Sequence, residues 1–308
     1  MTLKTNSDFN MPLAPLDDYR HVLEPGEHEA FYFLFTSPEG SVFGFLRTLF
    51  DRETVLELVA LRVGDRVWVH QQRTALSEGP VAVADASGPS MTLACREPWQ
   101  AWGCFFHSTV QEAAGENVVR ADLDLEFVAT NAPALYRFGP YLQAQQDGRL
   151  DGRLQVGTKE WAGELLCYRD HSWGRRPMGA AAGWTVANAL EHFYVVVVET
   201  GGGEVCFGRL ATPDGQVVPV HAPKITAAER GWRIEDPEAG LGTWYVQRLS
   251  PPLKAYLGPA GQEAVRDAPS PGDLYLDELG PALFSSSEGK QVIGFLEQMR
   301  RLSWSSGC

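Results

Sequence analysis

Val119-Arg120-Ala121-Asp122-Leu123-Asp124-Leu125-Glu126-Phe127-Val128-Ala129 is the stretch that decides the fold class. Val119, Ala121, Leu123, Leu125, Phe127 and Ala129 alternate with Arg120, Asp122, Asp124, Glu126 and Val128, the period-two pattern of a strand with one dry and one wet face. Strands of a parallel sheet are buried on both faces and lose this alternation, so the pattern predicts an antiparallel sheet. Working back towards the N-terminus, strand-like runs recur at 31–36, 41–48, 55–62, 66–71, 81–84, 91–96 and 102–108. Turn residues such as Gly64-Asp65 and Asp85-Ala86-Ser87-Gly88-Pro89 separate them. Residues 1–29, with Pro12, Pro15 and Pro25, show little periodicity and read as a leader lying across the first sheet.

Towards the C-terminus the same grammar repeats. Runs at 141–145, 153–156, 164–168, 184–189, 193–200, 205–210, 216–220, 232–235, 243–249 and 274–278 read as strands. Gly201-Gly202-Gly203 and Pro213-Asp214-Gly215 read as hairpin turns. In residues 288–303, Val292, Phe295, Leu296, Met299 and Leu302 recur at helical spacing and predict one amphipathic helix. The expected architecture is all-β: two antiparallel barrel or sandwich domains, 1–145 and 146–308, the second closing with that C-terminal helix.

The chain has 308 residues, with 39 acidic against 26 basic side chains and a net charge of −13, together with nine Trp, nine Tyr and fifteen Phe. The aromatic content excludes a disordered chain. The acidic excess is spread along the chain and argues against nucleic acid or an anionic membrane surface as partner, since both require a positive field. No apolar N-terminal core and no run of 18 apolar residues is present, so a cytoplasmic protein without integral membrane contact is expected. Five Cys (Cys95, Cys104, Cys167, Cys206, Cys308) without a CxxC pair suggest buried thiols rather than a disulfide framework or zinc ribbon.

G-x-S-x-G, Walker and H-E-x-x-H motifs are absent, and the triple glycine at 201–203 leads into the strand-like EVCFGRL rather than a helix. The seven His are scattered, with none at paired ligand spacing. Neither a metal nor a cofactor is expected. The densest run of functional side chains is Cys167-Tyr168-Arg169-Asp170-His171-Ser172-Trp173-Gly174-Arg175-Arg176-Pro177, followed by Trp184, Glu191, His192 and Tyr194. As a strand, Arg169, His171 and Trp173 share one face and Asp170 and Ser172 the other, until Gly174 and Pro177 break it.

RDHSWGRRP resembles the D-H-S/N-W-G signature of the lipocalin-like family that contains carotenoid hydratases and AttH-type proteins. Weaker echoes lie at Glu29-Ala30-Phe31-Tyr32-Phe33, at Leu123-Asp124-Leu125-Glu126-Phe127 ahead of Pro133, and between Gly139 and Gly152. The resemblance covers most of the chain, with the motif as its specific part. It implies two calycin-like β units facing each other over a cavity, and an apolar substrate to which water is added or whose chain is cyclised. His171 and Trp173 match motif positions treated as catalytic in the hydratases, and Asp170 matches the preceding carboxylate. Tyr194 stands for a later Tyr, but the Asp that accompanies it in the hydratases is missing here, and Glu191 is the nearest carboxylate.

The residue types suit this chemistry on their own terms. Protonating an alkene needs a carboxylic acid held in an apolar site, and the resulting cation needs aromatic faces rather than water. Asp170 or Glu191 is the expected acid, with Trp173, Trp184 and Tyr194 as an aromatic wall. For a ring-forming reaction, holding the chain folded and hydrogen-bonding one carbonyl suffices, through Tyr194, His171 or Arg175. Trp102 and Phe106, in the run WQAWGCFF at 99–106, are expected at a cavity mouth. The same residues also have a structural reading, in which Asp170 pairs Arg175 or Arg176, His171 bonds a backbone carbonyl, and the tryptophans fill the core. The expectation is a cofactor-independent cyclase, hydratase or isomerase, in class a lyase or isomerase, for an isoprenoid or polyketide-like molecule in an interdomain cavity. The alternative is a non-catalytic carrier of such a ligand. The sequence leaves the oligomeric state open.

Overall fold

The structure, a computed structural model, describes residues 13–76, 85–138, 140–175, 181–200, 203–212, 214–229, 231–236, 240–257, 263–266, 270 and 273–302. The strand expected over 81–84, Gly139, Arg176, Pro177, Gly201, Gly202, Pro213 and Cys308 lie outside these. Strand accounts for 72% and helix for 2%, which makes the protein all-β. Its residues fall into two compact units, one within Asn6–Arg176 plus Ala211–Val218, the other within Pro177–Leu210 plus Pro219–Cys308.

The first unit is built from β1 (His28–Thr36), β2 (Val42–Phe50), β3 (Thr54–Val63), β4 (Arg66–Ala75) and β5 (Met91–Glu97), then β6 (Ala101–Glu112), β7 (Val118–Ala129), β8 (Ala134–Phe138), β9 (Tyr141–Val156) and β10 (Lys159–Gly174). The strands pair antiparallel in the order β10-β1-β2-β3-β4-β6-β7-β9-β8. Because β10 also pairs with β9, the sheet closes on itself as a barrel. β7 is the alternating stretch quoted above. Its Ala121, Leu123, Leu125 and Phe127 are fully buried, while Arg120, Asp124, Glu126 and Val128 face water. They meet Phe31, Phe33, Phe35, Trp102 and Phe106 in the barrel core.

The second unit carries β11 (Ala181–Ala189), β12 (Phe193–Thr200), β13 (Gly203–Ala211), β14 (Val217–Val220), β15 (Lys224–Ala228) and β16 (Gly231–Asp236), then β17 (Gly242–Arg248), β18 (Leu253–Leu257), β19 (Glu263–Val265), β20 (Tyr275–Ser286) and β21 (Gln291–Arg301). Its order is β14-β13-β12-β11-β21-β20-β17-β16-β15, with β18 on β20 and β19 on β18. Phe193, Ile234, Trp244, Phe284 and Leu296 form its core. Both units are lipocalin-like curled antiparallel sheets, and no helix among the described residues is long and apolar enough to cross a membrane.

Two expectations differ from what is found. The C-terminal helix is instead β21, paired over its whole length with β20 and over Gly294–Arg300 with β11. A central strand buries both faces. Leu296 enters the Phe193 core while Met299 packs with Leu257 and Tyr275, so apolar residues from the two faces together mimic a helical period. The expected border between 145 and 146 falls inside β9, which pairs with both β7 and β10. Cys104 and Cys167 are buried, as free thiols. The half-buried Cys95 thiol is pushed up to about 12 by burial and by Asp18.

Candidate functional site

The signature run ends β10. Alternation puts Arg169, His171 and Trp173 on one face of the strand, and β1 sets Glu29 opposite Trp173 and Phe31 opposite His171. Gly174 closes the run at φ +101, where a Cβ would stand 2.2 Å from the Pro140 carbonyl oxygen. The segment before β1 supplies two further side chains, Asp18 from a single 3-10 turn (Pro15–Asp18) and His21.

Asp18, Glu29, Arg169 and His171 are fully buried or within 1% of it. Asp18 pairs with the Arg169 guanidinium, and its other oxygen accepts the Trp99 backbone N–H at 2.7 Å and the Trp102 indole N–H at 3.0 Å. Arg169 lies over the ring of Trp102 at 4.6 Å and near that of Trp99 at 5.4 Å. A buried cation is tolerable when it is paired and faced by aromatic rings in this way.

Glu29 is the centre of the second group. Its Oε1 lies 2.6 Å from His21 Nδ1 and 3.0 Å from His171 Nε2, and both its oxygens accept the His21 backbone N–H at 3.1 Å. The His171 ring stacks on Phe31 at 4.0 Å and sits 4.8 Å from Trp173, which in turn stacks on His21 at 4.7 Å. His171 Nδ1 stands 4.0 Å from Asp18 Oδ1 and makes no hydrogen bond among the described residues. Burial, reinforced by Arg169, pushes the His171 pKa below 6.5 and keeps the imidazole neutral. Burial alone would raise the Glu29 carboxyl, but the hydrogen bonds from His171 and His21 outweigh it and hold Glu29 as the anion.

His21, Glu29 and His171 also form a convergent ligand set for a metal ion, their atoms lying within 4.8 Å of one another. Two ligand atoms on one ion with bonds of about 2.0–2.2 Å sit about 3 Å apart or more. The 2.6 Å between His21 Nδ1 and Glu29 Oε1 is shorter than that, and it is a hydrogen-bond distance. The arrangement is that of a carboxylate shared by two imidazoles.

Of the residues expected from sequence, the structure brings together His171, Trp173 and Trp102. Asp170 lies on the opposite face of β10, against Tyr32 in the neighbouring strand, bonded by the Gln143 amide and by the Tyr168 hydroxyl at 3.2 Å. Phe106 is core of the first barrel, edge-on to His70. Arg175 is exposed and donates to the Pro25 carbonyl at 2.9 Å. Trp184, Glu191 and Tyr194 belong to the second unit. There Trp184 donates to Glu297 at 2.5 Å, Glu191 sits in the β11–β12 turn at φ 63, and Tyr194 is buried 5.9 Å from the Arg209 guanidinium. Asp18, His21, Glu29 and Arg169 were not among the expected site residues. Two of them carried a signal: Glu29 is in phase with Phe31, Phe33 and Phe35, and Arg169 with Leu165, Cys167 and His171, all core positions.

Fold and site together define a lipocalin-like β protein with a buried carboxylate–imidazole group at one end of its first barrel. Its structure is similar to that of a protein assigned as an AttH from Nitrosomonas europaea (TM-score 0.64, 12% identity, 94% of this chain and 100% of that one). It is also similar to kievitone hydratase from Nectria haematococca (0.53, 11%, 91% and 90%) and to CghA solved with Sch210972 (0.51, 13%, 91% and 90%). At these identities the likeness is one of fold. Residues 14–233 match the family described as Domain of unknown function (DUF7064), and the chain belongs to that family. No curated protein matches its sequence.

Proposed function

We propose that the protein is a hydratase- or cyclase-type enzyme acting on an apolar, isoprenoid or polyketide-like molecule, with His171 as the group that moves the proton. The observation that carries this reading is the fully buried Glu29–His171 pair, walled by Phe31, Trp99 and Trp173. Glu29 holds His171 by Nε2, which leaves Nδ1 as the nitrogen free to meet a substrate. A neutral, desolvated imidazole is a proton acceptor and, once charged, a strong acid. A cation formed on the substrate would face aromatic rings instead of bulk water. Addition, cyclisation and isomerisation each put one proton on and take one off, so the side chains suffice for the proton chemistry. The name of one structural neighbour, a hydratase, agrees with the reading.

Because Glu29, His171 and Asp18 have no exposure, substrate reaches them in this reading when the segment holding Asp18 and His21 yields. The test is product analysis by mass spectrometry after incubating the protein with polyprenyl and polyketide-like alkenes. We expect hydrated or isomeric product, and His171→Gln to lower its rate by about 10²–10⁴-fold with ligand binding kept. Compounds that bind and are recovered unchanged would make the protein a carrier.

A further inference from the structure

We propose that one end of the first barrel is a carboxylate-binding site which the chain fills with its own Asp18, and that a ligand with an apolar chain and a terminal carboxylate takes the place of Asp18. The donors of this site all belong to the barrel. The Arg169 guanidinium comes from β10, the Trp102 indole N–H from β6, and the Trp99 backbone N–H from the turn between β5 and β6. They converge on a single carboxylate. Arg169 pairs with one oxygen, while the Trp99 and Trp102 N–H groups reach the other at 2.7 and 3.0 Å. A planar guanidinium flanked by N–H donors is an arrangement that recognises carboxylates. The rings of Trp102, Trp99 and Phe33 lie 4.6, 5.4 and 5.7 Å from the guanidinium and make its surroundings apolar. One cation matches one negative charge, and the Glu29 carboxylate on the far side of His171 opposes a second. The site therefore suits a carboxylate rather than a doubly charged phosphate.

The group that fills the site sits on a weakly anchored segment. Of residues 13–27, which precede β1, Asp18 alone is buried, and Leu16 and Val22 are 70% and 92% exposed. Leu13 and Leu23 pack on the core only in part. The remaining hold is polar or lies at the surface: the Trp99 indole N–H on the Ala14 carbonyl at 3.0 Å, Arg175 on the Pro25 carbonyl, His21 on Glu29, and Arg20 over the Phe50 ring at 4.0 Å. A segment with so little buried apolar surface opens at a lower cost than the barrel it covers. Lifting it withdraws Asp18 and leaves Arg169 an unpaired cation unless another anion arrives. Selectivity follows from that requirement. A carboxylate exchanges one paired charge for another, whereas a neutral alcohol or hydrocarbon leaves Arg169 unpaired and is rejected. Asp18 Oδ1 stands 4.0 Å from His171 Nδ1, so a carboxylate in its place sets the chain of the ligand beside that nitrogen. Only this last consequence rests on the reading of His171 given above.

The experiment uses the full chain, with decanoate and decanol as matched probes and acetate as a small carboxylate. Asp18→Ala removes the internal occupant. Asp18→Asn keeps its shape and an acceptor for the two tryptophan N–H groups but not its charge. By calorimetric titration, both variants are expected to bind decanoate about tenfold or more tightly than the wild type does, and to prefer it to decanol by a similar factor. Acetate is expected to raise the Tm of Asp18→Ala by about 2 °C or more over sodium chloride of equal ionic strength, and to leave the wild type unchanged. In the wild type, decanoate is expected to speed hydrogen exchange of the amides in 13–27 while the barrel amides stay protected. Equal affinity for decanoate and decanol in folded Asp18→Asn overturns the proposal, and so does decanoate binding that persists unchanged in Asp18→Ala/Arg169→Met. If Asp18→Ala fails to fold, Asp18→Asn decides the matter. Rescue by acetate with no added affinity for decanoate makes the ligand a small acid and overturns the apolar chain. Binding is read here without turnover. Decanoate held at this site by a protein that converts no alkene leaves the site standing and removes the enzyme reading, and product formed without any preference for decanoate does the reverse.

Discussion

Glu29 and Arg169 are charged residues placed where the strand period demands core residues, and the consequence of that misplacement is testable. Asp18 is the acceptor that makes Arg169 tolerable, so Asp18→Ala leaves a buried cation unpaired and also strips the Trp99 and Trp102 N–H groups of their partner. We expect a loss of about 3–5 kcal/mol in denaturant unfolding, with much of it recovered in Asp18→Ala/Arg169→Met. The buried histidine sets a pH dependence. Its folded pKa lies below 6.5, so under mildly acidic conditions the unfolded chain binds the extra proton and the folded one does not. Stability must therefore fall as pH drops through that window. Glu29, held below its ordinary 4.5, adds stability above that value that is lost as it protonates at lower pH. Thermal melts from pH 8 to pH 4 should show Tm falling below about pH 6.5, with the first part of the fall absent in His171→Gln. A Tm that rises on acidification to pH 5 would contradict the assignment. His171 and Trp173 were legible as candidates because a motif carries them, and they lie together beside Glu29. Asp18 and His21 were not, since they lie in a segment without period and acquire a role only through contact with β10 and β1.

At the scale of the element, alternation was the readable signal where a strand keeps one face wet, as β7 does, and it failed where both faces are covered. β21 is the plain case, since its buried residues on opposite faces sum to a false helical period. Gly294 offers the check: across from Ala189 in β11, a Cβ added there would meet the Asn188 carbonyl oxygen at 1.9 Å. In a helix Gly→Ala would stabilise, but here Gly294→Ala should cost about 1–3 kcal/mol by chemical unfolding. β9 failed for a different reason. The runs expected at 141–145 and 153–156 are parts of one strand, in which Gly148 makes room for the Phe127 ring, which would lie 2.3 Å from a Cβ, and Gly152 for the Asp124 carbonyl. Glycine here marks close approach inside one long strand that pairs with β7 and β10.

For the molecule as a whole, a net charge of −13 goes with a closed barrel and a second curled antiparallel sheet, each with an aromatic core. The closed first barrel matters more. By joining β10 to both β1 and β9 it fixes the signature run against Glu29 on one side, and the segment before β1 completes the group with Asp18 and His21. The all-β class was readable from composition and period, but the pairing of His171 with Glu29 was not, because closure brings together residues about 140 positions apart. The most direct test of the central claim is mass spectrometry of alkenes incubated with wild-type protein and with His171→Gln in isotopically labelled water. We expect a wild-type product that either gains one labelled water or is isomeric with the substrate, and its loss in a variant that still binds the same compound. Equal product from both proteins, or bound compound returned unchanged by the wild type, would contradict it.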